Sequence, residues 1–279
     1  MEGGSAEEGG LVPGYDELCA LLREPLAAPL QGMIDSFVKA LLLRPPRPSD
    51  HGMLHNFLGA MESPFRAHKL WRDAAEDEML LTLDALEAYI LSDPAVVASV
   101  LDNMPPAMLE RDERLTRRMW CLQFIRAEHL DVSKECLTHP AAIISRRLLQ
   151  RMGEVPSPQE KLECIFRAAR VVFRMLNELA NRNGRPAASA DDFLPVWILV
   201  VLRAQPPRLL ATMEYVSMFR SPRRLCGERH YYLVQLQTAA AFLEAVDAQA
   251  LTIDGQEFER QLAEREGLFE ARRAAAAAA

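Results

Sequence analysis

The chain has 279 residues, 49% of them hydrophobic and 25% charged, with a formal net charge of −7. That length supports one large domain or two small ones with a substantial core. The acidic balance, without a long basic block, argues against nucleic-acid binding, which needs a concentrated positive footprint, and leaves only weak attraction to anionic lipid.

The start, Met1-Glu2-Gly3-Gly4-Ser5-Ala6-Glu7-Glu8, is acidic and glycine-rich, the opposite of a secretory or transit sequence. Residues 1–11 are expected to be a disordered tail. Ile34, Phe37, Val38, Leu41 and Leu42 recur at three and four residues, predicting a helix that Pro45-Pro46 and Pro48 end. A second helix is predicted from Asp50 through Phe57 and Met61. A third runs from Ala75 to Leu91, with Met79, Leu80, Leu83, Leu86 and Ile90 on one stripe. Asp93-Pro94 breaks it, and Pro105-Pro106 closes the short helix that follows. Glu110–Ile125 and Ala141–Met152 read as amphipathic helices, and Ser157-Pro158 opens a long one, since proline suits the first helical position. Asn181–Ala188 is a loop. An apolar helix follows over Phe193–Leu202, ended by Pro206-Pro207. Then come a helix over Pro207–Phe219, a polar loop from Ser221-Pro222 to Gly227, and helices over Glu228–Val246 and Asp254–Phe269. Residues 272–279 are a low-complexity tail. No strand pattern and no repeat of fixed period interrupts this, so the fold class is all-α, with ten to twelve helices.

The five cysteines (Cys19, Cys121, Cys136, Cys164, Cys226) are dispersed, as expected for reduced thiols in a cytoplasmic protein. The longest apolar run, Phe193 to Leu202, is too short to span a bilayer, so a soluble protein is expected. Glycine-rich phosphate loops, Gly-x-Ser-x-Gly elbows and His-Glu-x-x-His zinc helices are absent. His51 and His55 have the spacing of a metal pair, but without a nearby carboxylate or cysteine motif they read as a solvated helix face. Phe65, Trp71 and Tyr89 read as anchors of helix packing, Trp197 as core, and the twelve methionines as gap-fillers.

The most informative stretch is Ser189-Ala190-Asp191-Asp192-Phe193-Leu194-Pro195. Ser189 is a good N-cap, and Asp192 three residues on completes a capping-box-like pair. Asp191 is not needed for that box. Pro195 has no amide hydrogen, and its missing bond is the one to the carbonyl of Asp191, so this turn is loosened. On pattern alone Asp191 reads as a first-turn acid stabilised by the helix dipole, and Tyr231-Tyr232 as half-buried aromatics at a helix start.

Taken together, several segments form an ordered series. They are Ser189 to Pro195, Ala204-Gln205-Pro206-Pro207-Arg208-Leu209, Tyr215 to Phe219, Gly227-Glu228, Tyr231-Tyr232, and Ala239-Ala240-Ala241-Phe242-Leu243. The series resembles the VPS-nine (vacuolar protein sorting nine) domain of guanine nucleotide exchange factors for Rab-five-class GTPases. Upstream, Phe57-Leu58, Phe65 to Trp71, Leu86 to Tyr89 and Glu128 to Asp131 resemble the helical bundle preceding that domain in plant-type and Rabex-type members. The resemblance implies a bundle over 12–135 packed on a layered helical exchange domain over 136–250, then a C-terminal helix over 251–271.

It further implies an exchange factor that inserts Asp191 toward the nucleotide site of its GTPase. Tyr231, with the apolar surface around Pro195, holds the switch regions open. Val196, Leu199, Tyr232 and Val234 would complete the GTPase contact, while Ser189 and Asp192 cap the helix. The implied partner is a Rab-five-class small GTPase, GDP-bound and nucleotide-free, with no cofactor, metal or nucleic acid. Localisation would be cytoplasmic, with indirect recruitment to early endosome, prevacuolar or trans-Golgi membranes. The chain shows none of the zinc-finger, ubiquitin-binding, Ras-association or Src-homology modules of larger relatives, so recruitment would fall to the bundle, the tails or an adaptor. Two departures keep a second reading open, a non-catalytic GTPase-binding scaffold. Val234-Gln235 replace the Thr-Asn of many members, and the loop before Gly227-Glu228 is one residue shorter than in the Rabex type, with Cys226 in the gap.

Overall fold

A computed structural model describes residues 14–44, 52–221 and 224–278. Within them lie thirteen α-helices, short 3-10 turns and no strand. The predicted tail 1–11, the prolines at 45–48, His51 and Pro222 lie outside the described residues.

The chain divides into two compact units. The first comprises residues 1–104 with two later segments, 156–161 and 215–221. Its helices are α1 (Tyr15–Leu22), α2 (Ala28–Leu43), α3 (Gly52–Ala67), α4 (Glu76–Ile90) and α5 (Pro94–Asp102). α4 packs on α1 and α3, and α2 on α5. The apolar stripes predict this: Ile34 and Leu41 of α2, Leu58, Met61 and Phe65 of α3, and Met79, Leu86 and Ile90 of α4 are buried. Phe65 meets Trp71 edge-on at 4.8 Å, whereas Tyr89 is only half-buried and its hydroxyl accepts from Gln31 Nε2. Among the described residues one helix, Pro25–Leu43, is long and apolar enough by length and composition alone to cross a membrane. It leaves Leu26, Met33 and Leu43 exposed.

The second unit holds 105–155, 162–214 and 222–279. Its helices are α6 (Pro106–Cys121), α7 (Lys134–Thr138), α8 (Pro140–Arg151), most of α9 (Pro158–Arg182), α10 (Ala190–Ala204), the start of α11 (Leu209–Phe219), α12 (Gly227–Ala245) and α13 (Gly255–Ala278). α10 is central, packed on α7, α8 and α12, and every residue from Val196 to Leu202 is buried. Its end is pinned by side chains: Gln123 Nε2 donates to the Leu202 carbonyl at 2.6 Å, and Arg203 donates to Gln123 and to the carbonyl of Ile125. α11 is capped from afar, Asp112 Oδ1 of α6 accepting from the Leu210 amide at 2.6 Å.

Three differences from expectation have physical reasons. α1 and α7 are too short for a period to show. The predicted Glu110–Ile125 helix starts earlier, at Pro106, and tightens to a 3-10 turn over Leu122–Phe124. α13 continues past Phe269 through the alanines, because alanine is the strongest helix former.

Candidate functional site

α10 begins as the sequence leads one to expect. Ser189 is extended, and its Oγ accepts from the Asp192 amide at 3.2 Å. In return Asp192 Oδ2 accepts from the Ser189 amide at 2.8 Å and from the Ser189 hydroxyl at 2.6 Å. The hydroxyl and amide of Ser189 hold the Asp192 carboxyl below the usual carboxylate range. Asp191 is exposed and makes no hydrogen bond or ion pair among the described residues. Pro195 sits inside the helix, half-buried, leaving the Asp191 carbonyl without its helical donor.

The lead-in to this turn is also fixed. α9 stops in a Schellman motif: Gly184 adopts φ 63°, and the Arg185 amide reaches back to the Ala180 carbonyl at 2.8 Å. One turn later the Ala188 amide donates to Asn177 Oδ1 at 2.9 Å. Beside Asp191 this leaves a groove of about 520 Å³, with Leu130, Val132, Cys136 and Leu179 as its apolar lining and Pro195 on its edge. Burial pushes the Cys136 thiol up.

A chain of rings joins the start of α10 to the start of α12. Phe193, buried, stacks on Trp197 at 5.6 Å and lies 6.2 Å from Phe173 and 5.8 Å from Tyr232. Tyr232 in turn meets Tyr231 edge-on at 5.2 Å. Tyr231 is 42% exposed and Val234, one turn on, 40%. Tyr232 is 5% exposed, and burial raises its phenol.

The expected contact surface therefore divides. Asp191, Pro195, Tyr231 and Val234 are accessible. Val196, Leu199 and Tyr232 are not: all three are buried, and they are corrected here to core positions. Phe166 and the arginines near it, which lie outside the motif series, adjoin the same ring chain. Their signal in the sequence was the three- and four-residue spacing of Arg167, Arg170 and Arg174. His51 of the histidine pair is outside the described residues, and His55 Nε2 lies 3.2 Å from the Phe219 carbonyl oxygen. Among the described residues no group of three His, Cys, Asp or Glu could hold a metal ion.

Residues 145–248 match the family model of the vacuolar sorting protein 9 (VPS9) domain. The chain carries a VPS9 domain. Similarity extends beyond it: the chain is 30% identical over 265 residues to Vacuolar protein sorting-associated protein 9A of Oryza sativa subsp. japonica, covering 93% of this chain and 54% of that protein. It is similarly 30% identical over 251 residues to the protein of that name in Arabidopsis thaliana, 89% of this chain and 48% of that one. Over 106 residues it is 41% identical to the Rab5 GDP/GTP exchange factor of Mus musculus, 38% of this chain and 21% of that protein. The chain thus spans about half the length of its plant relatives. Asp191, Pro195, Tyr231 and Val234 all fall within the VPS9 domain, as does the cap formed by Ser189 and Asp192.

Proposed function

We propose that this chain is a guanine nucleotide exchange factor for a Rab5-class small GTPase in endosomal or vacuolar trafficking. Residues 136–250 serve as the exchange domain and 12–135 as the bundle before it. The observation that carries this reading is the division of labour in one helical turn. Asp192 caps the helix, while Asp191 stands exposed and without a partner among the described residues, on a turn that Pro195 loosens.

A small GTPase holds its nucleotide through a phosphate-loop lysine and a magnesium ion. A carboxylate presented there pairs with the lysine in place of the phosphates, which it repels. Tyr231 and the surface around Pro195 would hold the switch regions apart. No covalent bond is made or broken. The exchange factor binds the nucleotide-free state best, and by linkage whatever strengthens that complex weakens nucleotide binding equally. Excess GTP then refills the site.

The test is release of fluorescent GDP from a Rab5-class GTPase in the presence of excess GTP. The chain should accelerate release. Asp191→Ala removes one charge-assisted contact worth roughly 1.5–3 kcal/mol, so acceleration should fall roughly 10- to 100-fold. No acceleration by the wild-type chain would refute the reading. Tight binding that ignores the nucleotide state, without exchange, would support the scaffold alternative instead.

A further inference from the structure

We infer that a row of arginines on α9 and α12, beside Tyr231, forms a second charged contact with the GTPase and takes an acidic stretch of that partner. The inference rests on the reading that Asp191 and Tyr231 meet a GTPase, and adds what sets the orientation and speed of their encounter.

Although the chain is net acidic, Arg167, Arg170 and Arg174 follow one another at i, i+3 and i+7 on α9, which puts them on one side of the helix. Arg229 approaches the same surface from α12. Its guanidinium carbon lies 4.5 Å from the Phe166 ring centroid, and that of Arg170 lies 5.4 Å from it. Phe166 is 6.1 Å from Tyr232, which touches Tyr231. The arginines therefore extend the aromatic shelf that ends in the exposed Tyr231.

Their positive charge is only partly answered. Glu163 serves two guanidiniums, Arg167 at 2.8 Å and Arg229 at 3.0 Å. Arg170 and Arg174 make no ion pair among the described residues, and Arg174 is exposed. Cation–π contact keeps the Arg170 head spread on the Phe166 ring rather than folded into a salt bridge, whereas Arg229 shares its charge between that ring and Glu163. Arginine in this setting presents a flat fork suited to carboxylates.

The other end of α9 has the opposite sign. Leu179 lines the groove that holds Asp191 and Asp192, with Asp131 and Glu135 on its walls, four acids against the single cation Arg185. From Arg170 to Leu179 is roughly 14 Å along a helix rising ~1.5 Å per residue, well within one interface. A surface with acid at one end and arginine at the other accepts a partner in one orientation. That partner is one with a cationic recess beside an acidic rim. Complementarity of this kind acts mainly on the association rate and on salt dependence.

The test compares kcat/KM for nucleotide release at low and high salt for the wild-type chain, Arg170→Glu/Arg174→Glu, Arg170→Lys/Arg174→Lys, and Arg114→Glu on α6 as a remote control. The double reversal should lower kcat/KM by about tenfold or more at low salt and flatten its salt dependence, with the saturated rate retained. The lysine pair should keep most of kcat/KM, and Arg114→Glu should match wild type. Thermal melting checks the fold, and the single Arg174→Glu, at an exposed position, repeats the test if the double variant is destabilised. Unchanged kcat/KM and salt slope in the reversal overturn the inference. So does a lower saturated rate at constant KM. Loss of binding to phosphatidylserine vesicles or to single-stranded DNA, with exchange in solution unaltered, also overturns it and assigns the row to that ligand. If wild type accelerates release and Asp191→Ala slows it as expected while the arginine reversal is silent, only this inference falls. If wild type accelerates nothing, both readings fall.

Discussion

Ser189 and Asp192 satisfy each other's polar atoms, and that exchange is what leaves Asp191 uncommitted. Residue types and spacing were enough to foresee the pair, because a capping box is a local interaction that needs no tertiary partner. Ser189→Ala should therefore cost about 0.5–2 kcal/mol in urea unfolding while nucleotide release, read well below the melting point, stays near wild type. A loss of exchange larger than the loss of fold would show that the serine does more than cap. Val196, Leu199 and Tyr232, whose neighbours in sequence point to the GTPase-facing surface, are buried. Proximity in sequence to Pro195 and Tyr231 says nothing about which side of the helix a neighbour occupies.

α10 carried a signal that corrects this. From Val196 to Leu202 it is apolar on every side, and such a helix is enclosed on every side. Its exposed residues are confined to its first turn, where the acids are found, with half-buried Pro195 just after them. Helices bounded by proline and carrying a long apolar stripe were legible in advance, whereas α1 and the single turn of α7 were not. Close contacts between elements were also invisible. A Cβ on Gly153, just after α8, would stand 2.7 Å from Cγ of Pro207, a rigid ring at the turn between α10 and α11. Gly153→Ala should consequently destabilise by roughly 1–3 kcal/mol, as overpacking does, seen as a lower urea midpoint at constant slope. A neutral outcome would mean that the α10–α11 turn yields to the added methyl.

Within the first unit, α4 meets a segment from far along the chain. Arg220 Nη1 donates to Glu87 Oε1 at 2.8 Å and to Asp84 Oδ1 at 3.2 Å, and the Ser221 amide reaches Glu87 Oε2 at 3.3 Å. All three charged side chains are buried. Burial pushes the Glu87 carboxyl from 4.5 up to about 7, against the pull of Arg220. The folded chain thus holds this proton more tightly than the unfolded one. Stability from Glu87 is complete below the unfolded value near 4.5 and is lost as pH rises through about 7. Between these limits the change is on the order of 3 kcal/mol, and Glu87→Gln should flatten it in urea unfolding compared at pH 5 and pH 8. The same slope in variant and wild type would rule Glu87 out as the source. By itself the sequence determined the all-α class, most of the helices, the cap at Ser189, the spare acid at Asp191 and the family resemblance, because capping, periodicity and motif order are carried by near neighbours along the chain. Tertiary structure alone decided that Tyr232 is core, that Arg220 closes on Asp84 and Glu87, and that Phe166 with its arginines joins the shelf of Tyr231. Burial and electrostatics depend on what lies across space, and no local pattern records that.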